Sequence, residues 1–310
     1  MKTVKINFVG FWGGFNYKES LLYKILTKHY NVEVCEDCDY IICSALKPYA
    51  YLKYPQVRIM FSGENYIPDF NLVDYGISVY PLKLFDRHFQ MPCVSPHLYD
   101  LYLQLETKER NYSHEILTQK PYFANLINSH DSEYNFRSEF FKGLSHYKRI
   151  EAPGKLCFNM PQNIKFSRED GSKFNFLKKC KFTICFESTN HQGFVTEKIA
   201  EAFLGDTIPI YFGSDYVKTI FNENAFIYIS DNEDIPRAVR QIIELDKDED
   251  KYLEMLRRPI LNNPHFYSNA KEDYEKFLLN IFDQDLNKAS RRSKMYYAAM
   301  HENYIKQGRM

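Results

Sequence analysis

The sequence lacks the features that mark several broad classes of protein. None of its apolar runs is long enough to span a bilayer. Its 40 basic residues balance 40 acidic ones, so the global charge gives no indication of nucleic-acid binding. Seven cysteines, an odd number without regular spacing, predict free thiols in a reducing compartment. Because the first ten residues resemble a strand rather than a signal peptide, we expect a cytoplasmic protein.

Common nucleotide-binding and metal-binding motifs are also missing. There is no GxxxxGK[ST] loop, and the glycines after the first apolar segment lack the GxGxxG spacing, which leaves a P-loop kinase or a dehydrogenase unsupported. No HExxH occurs, and the single CxxC at Cys35 and Cys38 has no second ligand pair. We interpret the DxD triplets at 246–248, 248–250 and 283–285 as solvated turns after helices, so we expect no metal site.

Aromatic residues are abundant, at 16% of the chain, and are mostly tyrosine and phenylalanine. A large aromatic core with tyrosines at its edges explains most of them. The alternative for some is a site that binds flat or apolar ligand surfaces, including sugar rings.

Strand-like and helix-like patterns alternate along the chain, which is typical of parallel α/β sheets. We predict two α/β halves in tandem, residues 1–119 and 120–265, followed by a C-terminal helix and a basic tail over 266–310. The predicted strands are 3–9, 32–34, 40–43, 57–61 and 75–79 in the first half, and 122–128, 182–186, 207–212 and 226–229 in the second. The predicted helices are 17–30, 135–147, 197–204, 235–245 and 274–282.

The tail over 288–310 mixes cations with aromatic residues. It has six lysines and arginines against one acidic residue, with methionines and tyrosines between them. A segment of this kind is typical of peripheral binding to an anionic membrane surface. A solvated terminal helix explains the same pattern equally well.

Lys198 is unusual because it lies in the first turn of a predicted helix, where the helix dipole disfavours a cation. Thr196 is the predicted N-cap, and the loop 187–195 follows the carboxyl end of a strand, where parallel sheets bind ligands. A diphosphate at the helix start would explain the lysine, and Glu197 beside it would accept hydrogen bonds from ligand hydroxyls. The alternative is that both are ordinary exposed residues.

Two more charged residues follow the same logic. Glu64 comes directly after the strand 57–61, where a carboxylate in a cleft is suited to general-base chemistry. Arg137 lies at the start of the helix 135–147, a position from which a guanidinium can reach a phosphate in a bidentate manner. Solvent exposure without function is the alternative for each.

The segment Phe186-Glu-Ser-Thr-Asn-His-Gln-Gly-Phe-Val-Thr-Glu-Lys198, with Ile208-Pro-Ile-Tyr-Phe-Gly213 behind it, resembles the donor-binding signature of the α1,3/α1,4-fucosyltransferases. The stretches beginning at Gly63 and Phe85 are similar to bacterial members. The resemblance implies a GT-B fold, in which two Rossmann-like domains face a cleft. It implies an inverting transfer of L-fucose from GDP-β-L-fucose to the 3- or 4-hydroxyl of an N-acetylglucosamine acceptor, with no metal cofactor.

The resemblance also assigns roles to residues. Glu64 matches the general base. Ser188 stands where the family has asparagine and Phe194 where it has tyrosine, so each loses a hydrogen-bonding group, for which Asn190 or His191 would compensate. The implied donor-binding residues are Arg137, Glu187, Ser188, Phe194, Val195, Thr196, Glu197 and Lys198.

Two alternative functions stay open: a transferase of the same fold for another GDP-sugar, and a catalytically silent glycan-binding module. The resemblance further implies that the tail over 288–310 anchors the protein peripherally, on the inner face of the membrane. It implies no nucleic-acid partner.

Overall fold

The computed structural model describes residues 1–47, 49–92, 99–132, 135–161, 166–167 and 170–308. Its strands are β1 (Thr3–Val9), β2 (Asn31–Val34), β3 (Tyr40–Ser44), β4 (Val57–Ser62), β5 (Tyr75–Ser78), β6 (His88–Gln90), β7 (Tyr122–Asn125), β8 (Ile150–Glu151), β9 (Cys180–Phe186), β10 (Ile208–Phe212) and β11 (Ile227–Ile229). Its helices are α1 (Leu21–His29), α2 (Tyr99–Glu106), α3 (Glu115–Thr118), α4 (Phe136–Ser145), α5 (Ser172–Leu177), α6 (Glu197–Leu204), α7 (Val217–Ile220), α8 (Ile235–Lys247), α9 (Glu249–Arg257), α10 (Phe266–Asp283), α11 (Leu286–Ala289) and α12 (Tyr296–Lys306).

The chain divides into two compact units. Unit 1 consists of Met1–Tyr99 and Tyr267–Met310, and unit 2 of Asp100–Phe266. The division differs from the predicted one, in which the first boundary fell at residue 120 and the tail stood apart. The difference arises because the C-terminal helices belong with the first sheet, a long-range contact that no local pattern encodes.

Unit 1 contains a parallel six-stranded sheet in the order β2-β1-β3-β4-β5-β6. Every residue of β3 and β4 is buried, which explains why these segments are nearly continuous apolar runs rather than alternating ones. The five predicted strands of this half are confirmed within one or two residues. The prediction omitted β6, because three residues carry too little periodicity to identify a strand.

Unit 2 contains a parallel five-stranded sheet in the order β11-β10-β9-β7-β8. The chain runs from β7 outward to β8, returns to β9 on the other side of β7, and continues to β10. The strand order therefore reverses between β7 and β9. In open parallel sheets the crevice at such a reversal, beyond the carboxyl ends of the strands, is the usual ligand site.

Two charge pairs, one buried and one partly buried, hold the C-terminal segment against the first sheet. The backbone N–H of Arg292 donates to Asp74 at 2.8 Å, and its guanidinium also pairs with that wholly buried carboxylate. The guanidinium of Arg58, itself 2% exposed, pairs with Glu302 on α12 at 3.0 Å. Because removing one partner of a buried pair leaves an uncompensated charge, these contacts fix the tail in place.

The tail carries less unpaired positive charge in the structure than the sequence predicted. Arg291 pairs with Asp86 at 2.7 Å and Lys306 with Glu302 at 2.8 Å, so much of the positive charge is neutralised within unit 1. Within the described residues, no helix is both long and apolar enough to cross a membrane. The tail also exposes a set of large apolar and aromatic side chains: Met295, Tyr296, Tyr297, Met300 and Tyr304.

Candidate functional site

The candidate site of unit 2 lies where β9 ends and α6 begins. The loop 187–196 leads from the carboxyl end of β9 to the first turn of α6. This places the predicted donor segment beside the reversal between β7 and β9, as expected for a ligand site in a parallel sheet.

A buried carboxylate organises this loop. Glu187 has no exposed surface. It accepts hydrogen bonds from the backbone N–H of Thr196 at 2.7 Å, from the Thr196 hydroxyl at 2.7 Å, and from the Lys198 ammonium at 3.2 Å. Thr196 precedes the helix as predicted, but its hydroxyl makes no capping hydrogen bond because it donates to Glu187 instead.

The position of Lys198 has an explanation within the chain. Its Nζ lies 3.2 Å from Glu187 and 3.7 Å from Glu197. Burial alone would lower the pKa of Lys198, but these two carboxylates outweigh it and raise the pKa above its usual value. A bound diphosphate is therefore not needed to offset the helix dipole, which corrects the reasoning made from the sequence.

Lys198 nevertheless keeps the means to bind an anion. Its ammonium donates to Glu187 and to the Thr196 hydroxyl, at 3.2 and 2.8 Å, which occupies two of its three N–H groups. Its side chain is 24% exposed, whereas that of Glu187 is wholly buried. The Glu187 carboxylate thus contacts the Lys198 ammonium from the protein interior, and the solvent-facing side of the ammonium stays accessible.

Tyr211 and Gly213 complete the surroundings of Glu187. The phenol of Tyr211 is buried. Burial, and to a smaller extent the negative charge of Glu187, raises the pKa of Tyr211 well above its usual value. Gly213 has a φ of 154°, and a Cβ there would lie 2.8 Å from the Glu187 Cγ and 2.7 Å from the Tyr211 hydroxyl. Only glycine fits so close an approach.

The sequence analysis did not predict that Tyr211 packs beside Glu187. The signal lies in the register that pairs Tyr211 with Cys185 and Phe212 with Phe186, since it brings β10 beside the residue that follows β9. That register is a long-range property of the sheet.

Arg137 lies at the same edge of the sheet. Its Nε and Nη2 donate to the carbonyl oxygen of Phe186 at 3.0 and 2.6 Å, and its Nη1 donates to that of His130 at 2.8 Å. The side chain is buried, and burial lowers its pKa, although the nearby carboxylates of Glu187 and Asp131 oppose this effect. Arg137 is thus a fixed cation at the end of β9 rather than the solvent-facing residue of the alternative interpretation.

Two cavities open near these charges. The first, of about 300 Å³, is polar and includes Asn128, Ser129, Glu197 and Lys198 in its lining. The second, of about 350 Å³, combines the rings of Phe136 and Phe212 with polar groups. Those polar groups come from Glu139, Ser188, Thr189, Asn190, Ser230, Asp231 and Asn232.

The remaining predicted donor residues occupy different environments. Phe194 and Val195 are buried, and their backbone N–H groups donate within the loop, to His191 and Gly193 at 3.0 Å each. Phe194 is thus an interior residue of the loop. Ser188 is half-buried and lines the second cavity beside Asn190.

Glu64, in unit 1, follows the buried strand β4. Its carbonyl oxygen accepts hydrogen bonds from the Ser62 hydroxyl at 3.2 Å and from the Tyr66 backbone at 2.7 Å. These bonds fix the turn, while the residue itself is exposed. The carboxylate is therefore accessible and lies at the carboxyl edge of a parallel sheet, the edge at which such sheets bind ligands.

The first of the acidic triplets differs from its interpretation as a solvated turn. Asp246 lies within α8, is buried, and pairs with Lys181 at 2.8 Å and with Lys148 at 2.5 Å. Across the parts of the chain that the structure describes, no group of three or more His, Cys, Asp or Glu side chains is arranged to hold a metal ion.

Two Rossmann-like parallel sheets, with the cation of Lys198 in the lining of a cavity at the reversal of the second, are the frame of a GT-B sugar-nucleotide transferase. Residues 6–102 match the family described as the alpha-(1,3)-fucosyltransferase FucT N-terminal domain, and residues 117–299 match the C-terminal part of glycosyltransferase family 10 (fucosyltransferase). The chain therefore belongs to the glycosyltransferase family 10 fucosyltransferases, and the predicted family and fold are confirmed.

Individual relatives agree with this assignment. The chain is 28% identical over 306 residues to the alpha-(1,3)-fucosyltransferase FucT of Helicobacter pylori, covering 86% of this chain and 63% of that protein. A crystal structure of an alpha1,3-fucosyltransferase aligns with a TM-score of 0.78 at 27% identity, covering 95% of this chain and 93% of the other. A crystal structure of alpha1,3-fucosyltransferase with GDP-fucose aligns at 0.72 and 26% identity, with 92% and 93% covered.

A more distant relative carries a different name. GDP-fucose protein O-fucosyltransferase 3 of Xenopus tropicalis is 24% identical over 203 residues, which cover 61% of this chain and 42% of that protein. The chain thus spans less than two thirds of the length of both curated relatives.

Proposed function

We propose that the protein transfers L-fucose from GDP-β-L-fucose to the 3- or 4-hydroxyl of an N-acetylglucosamine unit in a glycan, with inversion at the anomeric carbon. The observation that carries the proposal is the fixed cation Lys198, which lines a polar cavity at the reversal of the second sheet. The buried guanidinium of Arg137 lies at the end of β9 on the same edge of the sheet. The similarity to an alpha1,3-fucosyltransferase crystallised with GDP-fucose supports the choice of donor.

In this proposal each of the two cavities of unit 2 binds a different part of GDP-fucose. The diphosphate and fucose occupy the polar cavity, where Lys198 donates to phosphate oxygens and Glu197 accepts from sugar hydroxyls. The nucleoside occupies the second cavity, whose two phenylalanine rings suit a flat base and whose polar rim suits a ribose.

The reaction then needs one proton transfer and one displacement. The Glu64 carboxylate removes the proton of the acceptor hydroxyl as its oxygen forms a bond to C1 of fucose. The bond from C1 to the β-phosphate oxygen breaks, and GDP leaves with the electron pair. Lys198 stabilises the charge that develops on the diphosphate, in the way that preorganised donors do in other transferases. Arg137 donates to the carbonyl oxygens of Phe186 and His130, so it contributes through its positive charge rather than through a direct hydrogen bond.

Glu187 acts through Lys198 rather than on the substrate. It is wholly buried, and its carboxylate oxygens accept from Thr196 and Lys198. It is a positioning residue that keeps the ammonium at a fixed place and the loop 187–196 in one conformation. This differs from the direct donor contact that the resemblance implied.

We expect GDP release from GDP-fucose to require an acceptor, and to exceed release from GDP-mannose under the same conditions. The measurement is a coupled GDP-release assay over type 1 and type 2 disaccharides and a serine- or threonine-containing peptide. The peptide is included because a relative is named as a protein O-fucosyltransferase. We also expect the rate to persist in EDTA, because fixed cations take the place of a metal.

Each departure from this result has a distinct meaning. Preference for GDP-mannose would identify a transferase of the same fold with another donor. Glycan binding without any GDP release would identify a silent binding module. Loss of activity in EDTA, with rescue by manganese, would contradict the metal-free reaction. The acidic triplets would then be the candidates for metal ligands.

We further propose that the protein associates peripherally with the inner face of an anionic membrane through α12. Because several tail cations are paired within unit 1, the contact is made by the exposed side chains of Met295, Tyr296 and Tyr297 together with Lys294. We expect co-sedimentation with phosphatidylserine-containing vesicles that weakens when Tyr296 and Tyr297 are both changed to serine. Equal sedimentation of both proteins, or none above that with neutral vesicles, would contradict it.

A further inference from the structure

A cavity of about 590 Å³ lies in unit 1, between the start of β4 with the residues before it and the C-terminal tail. Its lining comes from residues 52–58 and 292–306, so it is separate from the two cavities of unit 2. The charged side chains of this lining are five cations and one carboxylate: Lys53, Arg58, Arg292, Lys294, Lys306 and Glu302. The cavity is therefore strongly basic, although the chain as a whole carries no net charge.

Pairing within the fold neutralises only part of this charge. Arg58 and Lys306 share one partner, Glu302, at 3.0 and 2.8 Å, and Arg292 pairs with the buried Asp74. Burial opposes the ionisation of Glu302, but the hydrogen bonds from Arg58 and Lys306 outweigh it and lower the pKa of Glu302 to about 2. Two carboxylates thus offset three cations, and both carboxylates are already engaged.

Lys53 and Lys294 supply the remaining charge. Both are exposed, and neither pairs with a carboxylate in the part of the chain that the structure describes. The ammonium of Lys53 lies over the ring of Tyr54, 5.0 Å from its centroid. That contact leaves the N–H groups of the ammonium able to donate to a ligand.

Arg292 adds a fixed cation to the lining. Its Nη1 donates to the carbonyl oxygen of Gln56 and to Asp74, and its Nη2 donates to the carbonyl oxygen of Pro55. Three of its five N–H groups are thus used. The guanidinium is held in one orientation and keeps two donors that no described residue occupies.

A phosphate ester is the ligand that this lining suits. A phosphate group presents three acceptor oxygens and more than one negative charge, so it can contact lysine and arginine donors on several sides at once. The cavity also exceeds what a bare phosphate ion needs, since a water molecule occupies about 30 Å³ in the liquid. Ser293 and Asn303 in the lining offer neutral hydrogen-bonding groups to the rest of such a ligand.

We propose that this cavity of unit 1 binds a phosphate ester, with Lys53 and Lys294 contacting the phosphate from the solvent side and Arg292 from the interior. Two sources share this chemistry, a soluble phosphate ester and the headgroup of an anionic phospholipid. The phospholipid source rests on the membrane association proposed above, because Lys294 adjoins the exposed Met295 and Tyr296. The soluble source does not depend on it, and neither source depends on fucosyl transfer.

Calorimetric titration of the full chain with sn-glycerol 3-phosphate tests the site, with saturating GDP present to occupy the donor site. We expect one ester to bind per chain. Changing Lys53 and Lys294 together to glutamine is expected to weaken its binding by about tenfold or more, the effect of losing at least one charged hydrogen bond. The matched control changes Lys24 and Lys28 to glutamine, which removes the same charge from exposed positions on α1, and is expected to bind as wild type does.

Vesicles distinguish the two sources. If a phospholipid is the ligand, co-sedimentation with phosphatidylglycerol-containing vesicles is expected to fall when sn-glycerol 3-phosphate is added, and in the Lys53 and Lys294 double variant but not in the control. Binding of the soluble ester without such competition identifies a soluble ligand. Absence of calorimetric binding together with absence of competition overturns the site, as does an equal loss in the two double variants. Absence of GDP release would instead overturn the proposed transferase and leave this site unaffected.

Discussion

Changing Glu64 to glutamine is expected to slow fucosyl transfer by roughly two or more orders of magnitude while GDP-fucose binds with unchanged affinity. The amide keeps the size of the side chain but cannot accept the proton of the attacking hydroxyl. The turn that carries it is held through the Glu64 carbonyl oxygen by Ser62 and Tyr66, so the substitution leaves the backbone in place. Steady-state kcat and calorimetric titration with GDP-fucose measure the two effects separately.

The matched control for this experiment is Glu36→Gln. Glu36 is also exposed and also follows a strand of the same sheet, but that strand is β2, at the outer edge. It is expected to behave as wild type. A Glu64→Gln enzyme with near-normal turnover would show that the proton leaves by another route, even if the family and the donor are as proposed.

Local patterns in the sequence predicted most of the two sheets. Strand β1 was predicted with the bounds that it has, and the buried runs of β4 and β9 were placed within two residues, because burial on both faces leaves a strong apolar signature. The same patterns placed Glu64 and Lys198 at carboxyl edges of strands and Arg137 at the start of a helix. These positions need only the order of elements along the chain and the rule that parallel sheets bind ligands at one edge.

Contacts between distant segments could not be predicted in this way. Arg292 and Asp74 are 218 residues apart, so the tail was interpreted as a free basic segment when it is part of unit 1. Glu187 is a similar case, because its burial depends on the pairing of β10 with β9 and on the missing side chain of Gly213. In both cases the sequence suggested a charged side chain that could bind an external partner, whereas in the fold the side chain is paired with another residue of the chain.

Glu187 changes what a substitution of Lys198 is expected to do. Lys198→Ala is expected to weaken GDP binding by roughly ten- to a hundredfold, the range for loss of a charged hydrogen bond. Part of that loss arises because the Glu187 carboxylate stays buried without its cation and repels the diphosphate. Calorimetric titration with GDP measures the affinity, and Lys218→Ala, which removes a more exposed lysine of the same unit, is the control.

The double variant Glu187→Gln with Lys198→Met separates attraction by the lysine from repulsion by the carboxylate. If Lys198 itself binds the diphosphate, the double variant stays weaker than wild type, although it recovers part of the affinity that Lys198→Ala loses. If the lysine serves to neutralise Glu187 and nothing more, the double variant binds GDP as well as wild type does. Glu187→Gln alone keeps the ammonium but loosens it, so we expect a raised KM for GDP-fucose with a smaller change in GDP affinity. Unchanged GDP affinity in Lys198→Ala would remove Lys198 from the donor site and leave Arg137 as the remaining cation to test.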